Sequence, residues 1–335
     1  MTETWGDSQL DNLRLPTIEA PNEIGGYLTT GPVKKATCNS LSVIVDTENG
    51  PGWAKIGKGT LDAVKRARRG AELYKRTRQC WPKGVRSLPD IYQYSEELLP
   101  DSMGNMHTHP VTVIEFIKSV ENEETLAHYI ELHGGLGIRG AVHTLFPVAL
   151  ALDAASQAGV IHGDIKPENI LMHHSIGLLN DFDQAITIEG EEYKPIDGIV
   201  WGTSGYMPPE RRRGEKLSHK ANGWGLAVTT YYAATEEDLI NGDAVPRYFY
   251  GSPFVYNAYI NDKINSLPPR VRKVMSKALA FNPEERYESC TEFMLAVVDA
   301  ITGQTGISDV KRNETKWRPF LSGGKKPYIA KHANK

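Results

Sequence analysis

The densest chemistry in the chain lies between residues 162 and 183. His162-Gly163-Asp164-Ile165-Lys166-Pro167-Glu168-Asn169-Ile170-Leu171 sets an aspartate, a lysine two residues on and an asparagine five residues on between apolar flanks. Asp181-Phe182-Asp183 follows, behind the apolar Ile176, Leu178 and Leu179. This arrangement makes sense for phosphoryl transfer. One carboxylate accepts or orients the proton of the incoming hydroxyl. A second carboxylate and an amide oxygen hold Mg²⁺ on nucleotide phosphates, and a lysine beside the base neutralises charge on the group in transfer. Two unrelated polar turns would account for the residue types but not for their order and spacing.

The run resembles the eukaryotic-like serine/threonine protein kinase superfamily, whose catalytic loop reads H-R-D-x-K-x-x-N and whose metal motif is D-F-G. The resemblance implies Asp164 as catalytic base, Lys166 as the phosphate-neutralising lysine, and Asn169 and Asp181 as Mg²⁺ ligands. It implies ATP as the donor and a Ser/Thr hydroxyl of a protein substrate as the acceptor. Gly202-Thr203-Ser204-Gly205-Tyr206-Met207-Pro208-Pro209-Glu210 is similar to the end of a kinase activation segment. By that likeness Thr203 hydrogen-bonds the catalytic Asp and Lys, and Glu210 pairs with a late arginine. Arg286, in Pro283-Glu284-Glu285-Arg286, is the candidate. A buried Glu210–Arg286 pair would anchor the segment, because breaking such a pair costs on the order of 3–5 kcal/mol. Asn222-Gly223-Trp224-Gly225-Leu226 resembles the start of the family's central helix. The likeness covers roughly residues 25–302 and implies an α+β, bilobal protein kinase-like fold, with a small β-rich N-lobe and a larger helical C-lobe.

For the nucleotide-facing part, the resemblance implies Lys55, in Trp53-Ala54-Lys55-Ile56, as the strand lysine on the α- and β-phosphates, with Lys58 as a substitute. Glu72 is its natural partner on the first helix. It stands alone among Lys65, Arg66, Arg68, Arg69, Lys75, Arg76 and Arg78, so an ordinary intrahelical ion pair stays open. Glu115-Phe116-Ile117 fits the hinge whose backbone, at Glu115 and Ile117, would bond adenine, with Ile114 as gatekeeper. The family's glycine-rich loop is reduced to Thr30–Thr37, with the single glycine Gly31. Backbone amides close over phosphates less easily without glycine's freedom. Gly163 stands where regulated members carry the arginine that grips a phosphorylated activation segment. Asp183 replaces the glycine after Asp-Phe. Asn222 replaces an aspartate that braces the catalytic loop, and an amide still accepts one bond. These departures fall on scaffolding and gating, which favours an active, divergent enzyme over a pseudokinase scaffold with impaired nucleotide binding. Small-molecule phosphotransferases share His-Gly-Asp and Asp-Phe-Asp but generally lack the segment at 202–210.

The elements that must position these groups change in kind along the chain. Residues 1–23 are a polar leader or strap with Pro16 and Pro21. Residues 24–117, the expected N-lobe, are strand-rich. Leu41–Val45, the turn Thr47–Gly52 and Trp53–Ile56 read as a hairpin, and Leu61–Arg78 as a basic helix. Further strand signals lie at Asp90–Tyr94 and Val111–Ile117. Residues 118–302, the expected C-lobe, are helical, with helices predicted over 123–132, 138–159, 219–234, 268–281 and 289–301. Val142, Leu145, Val148, Leu152 and Ala155 form a stripe at helical spacing. Arg211, Arg212 and Arg213 read as a solvated loop start, or as an attraction for acidic substrate sequences.

A chain of 335 residues, 40% hydrophobic and 24% charged, is long enough to bury a sizeable core and is not a disordered composition. The apolar runs are short of a membrane span, and the acidic N-terminus lacks a signal-peptide core. Three dispersed cysteines, Cys38, Cys80 and Cys290, read as free thiols. An intracellular, cytoplasmic setting is the expectation. The net charge of −3 hides an asymmetry: residues 311–335 carry eight Lys or Arg against Glu314, a local +7 that leaves −10 on residues 1–310. Nucleic acid is not indicated for the acidic body. The basic tail, 303–335, suits an acidic partner or docking back onto that body.

Overall fold

The computed structural model describes residues 23–24, 26–30, 35–36, 40–81, 87–100, 105–115, 125–188, 203–241 and 247–303. Gly31, Ile117, the leader before Glu23 and the basic tail after Gly303 lie outside the described residues. The chain divides into two compact units, one within 1–72 and 89–116 and the other within 73–88 and 117–335.

The first unit opens with two short paired strands, β1 (Glu23–Ile24) and β2 (Tyr27–Leu28). It continues with β3 (Lys35–Ala36), β4 (Ser40–Thr47), β5 (Gly50–Gly57), the helix α1 (Leu61–Gln79), whose residues from Leu73 on belong to the second unit, β6 (Ile91–Pro100) and β7 (Met106–Glu115). Strands β3 to β7 form one antiparallel sheet in the order β3-β4-β5-β7-β6. Because side chains alternate across a strand, one face gathers Val43, Val45, Ala54, Ile56, Val111 and Val113, each at most 5% exposed, with Ile24. That alternation turns Lys55, paired with Ser42 and Thr112, away from this core. The β4–β5 hairpin is tighter than expected: Thr47 pairs with Gly50, so Pro51 and Gly52 belong to the strand and only Glu48-Asn49 turns. Arg68 of α1 grips Glu96 of β6 through two contacts of 2.7 Å, and the Tyr94 hydroxyl donates to the same carboxylate at 2.9 Å.

The second unit is built on α2 (Leu126–His133) and α3 (Gly137–Gln157). Short strands β8 (Val160–Ile161), β9 (Ile170–His173), β10 (Ile176–Leu179) and β11 (Ile186–Thr187) follow. Strand β9 pairs with β10, and β8 with β11. Then come α4 (Pro209–Arg212), α5 (Lys220–Thr235), α6 (Pro253–Lys263), α7 (Pro269–Ala278) and α8 (Cys290–Thr302). The predicted stripe of α3 is buried throughout and packs against α5, α8 and β10. Its length and apolarity would suffice to cross a bilayer, yet most of that span is buried inside the unit, as befits a core helix. Asp153 of α3 accepts from Cys290 N at 2.8 Å and Thr291 N at 3.0 Å, capping α8 beside its own Ser289 cap. The Cys290 thiol is buried, and its pKa is pushed up by that burial and by Asp153.

Candidate active site

Strand β8 delivers the chain into the loop at His162, a single helical turn at Pro167–Asn169 redirects it, and the β9–β10 hairpin returns it to Asp181. The hairpin therefore brings Asn180 back beside the loop: Asn180 N donates to Asn169 O at 2.9 Å, and His162 Nε2 donates to Asn180 O at 3.0 Å. His162 is fully buried. Its Nδ1 accepts from Asp164 N at 3.4 Å, so the ring is the neutral tautomer. Burial holds its pKa below the ordinary histidine value. His162 packs edge-on against Phe182, at 4.7 Å between ring centres, and Phe182 packs edge-on against Tyr74 of α1 at 5.2 Å.

The carboxylate of Asp164 is the hub. Lys166 Nζ lies 3.1 Å from Asp164 Oδ2 and donates to Thr203 Oγ1 at 2.6 Å. Thr203 N and Oγ1 each donate to Asp164 Oδ1 at 3.4 Å. Asn169 Nδ2 donates to both Asp164 O, at 2.8 Å, and Asp164 Oδ2, at 3.0 Å. Four of the predicted residues thus meet in one hydrogen-bonded set. Asp181 adopts φ 63° and ψ 79°, a region uncommon for residues with a side chain, and caps the turn Phe182–Gln184 by accepting from Asp183 N at 3.4 Å.

Asn222 of α5 accepts from His162 N at 3.0 Å and donates to Val160 O at 3.5 Å, so the amide supplies the one bond expected of it. Thr229, two turns along α5, shares its hydroxyl hydrogen between Gly225 O of its own helix, at 2.9 Å, and Ile165 O of the loop, at 3.3 Å. The Glu210–Arg286 pair is bidentate, at 2.7 and 2.8 Å, with Glu210 1% and Arg286 4% exposed. Arg286 also donates to Ala280 O at 2.8 Å, which ties α4 to the chain after α7.

The arginine run is not a solvated loop start. Arg211 is 2% exposed and donates to Gly163 O. Arg212 donates to Ser204 and lies 5.1 Å from the Tyr250 ring centre. Arg213 grips Glu215 at 2.6 and 2.7 Å and covers the Phe281 ring at 4.3 Å. Local bonding consumes all three, which removes them as a free lure for acidic substrates. The sequence does hold a signal for Arg211: a glycine at 163 leaves room on the loop that some other group must fill.

In the first unit, Lys55 is partly exposed on β5 and Glu115 ends β7, its backbone N donating to Asp90 O at 2.7 Å. Glu72 lies on the exposed side of α1, opposite the buried Val64, Ala67, Ala71 and Tyr74. Among the described residues no ion pair joins it to Lys55. Gly31 and Ile117 fall outside the described residues.

Residues 95–296 match the sequence profile of the protein kinase domain. The chain is 28% identical over 207 residues to the serine/threonine-protein kinase PknB of Mycobacterium tuberculosis, a match that covers 58% of this chain and 31% of that protein. It is 31% identical over 187 residues to PknD of the same organism, covering 53% of this chain and 27% of that one. The matched part therefore spans about a third or less of these relatives' length. The crystal structure of the M. tuberculosis PknI kinase domain superposes with a TM-score of 0.58 over 83% of this chain and 97% of that one. At 18% identity, what the two share is the fold.

Proposed function

The chain belongs to the protein kinase domain family, and from that premise we propose that it transfers the γ-phosphoryl group of ATP to serine or threonine hydroxyls of a protein substrate. The observation that carries the proposal is the convergence of Asp164, Lys166, Thr203 and Asn169. Asp164 takes the hydroxyl proton as the substrate oxygen attacks the γ-phosphorus and the bond to the β-phosphate breaks. Thr203 and Asn169 fix the orientation of that carboxylate from two sides, and Lys166 keeps an ammonium beside the transferring oxygens.

The donor set fits Mg²⁺. Asn169 Nδ2 is committed to Asp164, which leaves Oδ1 as the ligand atom, and Asp181 adds a carboxylate; both are hard oxygens. Bound there, the metal would neutralise the nucleotide phosphates. Lys55 is proposed to hold the α- and β-phosphates, and the backbone at Glu115 and Ile117 to bond adenine. Gly31 is the one glycine proposed to let the loop approach the phosphates.

Glu72 on the exposed side of α1 favours a second reading, a scaffold of the same fold that binds nucleotide weakly and transfers nothing. Purified protein with Mg²⁺–ATP and a peptide library separates the two. Transfer that disappears in Asp164→Ala and Asp181→Ala, and on chelation of Mg²⁺, supports the enzyme. A nucleotide-dependent rise in melting temperature without transfer selects the scaffold.

A further inference from the structure

We propose that Arg211 is a positioning residue for the Asp164 loop, an internal strut that takes the place of a side chain at position 163. The inference rests on the phosphoryl-transfer reading for its kinetic consequence, and on geometry alone for the strut itself.

Gly163 has φ 81°, which disfavours any residue with a Cβ. A Cβ built there would stand 2.7 Å from Gln184 O and 2.9 Å from Arg211 Nη1. Two neighbours therefore occupy the space a side chain would need: the turn that follows Asp181 and the guanidinium of Arg211. That guanidinium donates to Gly163 O, one residue before Asp164. Its helix is fixed in turn, since the adjacent Glu210 is locked to Arg286. Position 163 is thus clamped between two anchored pieces, the turn after Asp181 and α4. Asn222 and Thr229 hold the loop from α5 at His162 N and Ile165 O, and Arg211 holds it from α4 between them.

A buried arginine suits this place chemically. The guanidinium presents a rigid, planar fork of donors, which suits a carbonyl held in one place. The loop amide it flanks is itself bonded inside the loop, Asp164 N donating to His162 Nδ1 at 3.4 Å. The strut therefore acts on Asp164 through the carbonyl immediately before it. Such a residue aligns the base without touching substrate.

The test compares wild type, Arg211→Ala and Arg211→Lys by steady-state kinetics, amide hydrogen exchange and thermal melting. In Arg211→Ala we expect kcat to fall about tenfold or more while the KM for ATP stays within about twofold, because misplacing a catalytic group costs rate and not nucleotide affinity. Exchange protection should drop at residues 162–166 and hold in α5 and α8. Millimolar guanidinium ion, a probe that fits the vacated space, should restore part of the lost rate, and Arg211→Lys should fall between the two proteins. Unchanged kcat together with unchanged loop protection overturns the strut. So does protection lost across α5 and α8 together with a lowered melting temperature, which marks a general packing role. If wild type transfers no phosphate, the enzyme reading fails, while the exchange pattern still decides whether Arg211 holds the loop.

Discussion

At the scale of single residues, the site joins groups whose sequence separation varies widely, and that variation decides what could be read in advance. Asp164, Lys166 and Asn169 lie within one short loop, so their meeting was legible as a contiguous motif. Thr203 and Arg286 were legible because each sits in its own recognisable run. The signal for Arg211 lay at Gly163 and not in its own run: in a row of three arginines it looks like a solvated charge cluster, and the tertiary contact at Gly163 draws it inside. Glu72 shows the converse, an acid conspicuous by contrast with its neighbours yet placed on the exposed side of its helix. Of the long-range pairs, Glu210–Arg286 carries the clearest energetic consequence. Arg286→Met leaves the Glu210 carboxylate buried and unpaired, and should cost about 3–5 kcal/mol of unfolding free energy. Urea unfolding of the two proteins measures the difference; a loss under about 1 kcal/mol would mean that the pair adds little beyond packing.

Elements differ in how openly their sequences declare them. The β-branched run of β4 and the helical stripe of α3 bury what their periods predict. Strand β6 runs on to Pro100 through Glu96-Glu97 because pairing with β7 and the Arg68 contact, not hydrophobic alternation, hold it in place. Helix α6 escapes notice for a related reason. Only Tyr256 and Ile260 of Pro253–Lys263 are buried, too few to set a period, and the helix is fixed by the Tyr256 hydroxyl, which takes a hydrogen from Trp224 Nε1 and gives one to Leu279 O, each at 2.9 Å. Elements also approach closely at Gly177 of β10, where a Cβ would lie 2.7 Å from Ile170 Cγ2 and 3.0 Å from Thr144 O of α3. Gly177→Ala must push the β9–β10 hairpin away from α3. We expect a destabilisation of about 1–3 kcal/mol, read from the denaturant midpoint, and no change there would show that the hairpin has slack.

For the molecule as a whole, acidity is the condition to which stability responds with a definite sign. Burial keeps His162 and His143 below the ordinary value of 6.5 in the folded state. Unfolding returns both to that value, so below it the unfolded chain binds more protons than the native one. This contribution is complete above about pH 6.5 and is lost progressively as pH falls. The melting temperature should therefore drop between neutrality and about pH 5.5, and His143→Gln should show a shallower drop; parallel curves would exclude His143 as a contributor. The setting of Cys290 gives the helical unit a clock of its own. Its thiol lies at the first turn of α8, beneath the bonds from Asp153, and its raised pKa makes it inert while the helix is docked. In protein whose other two cysteines are replaced by serine, the speed at which a thiol reagent marks Cys290 counts the undocking of α8 from α3, event by event.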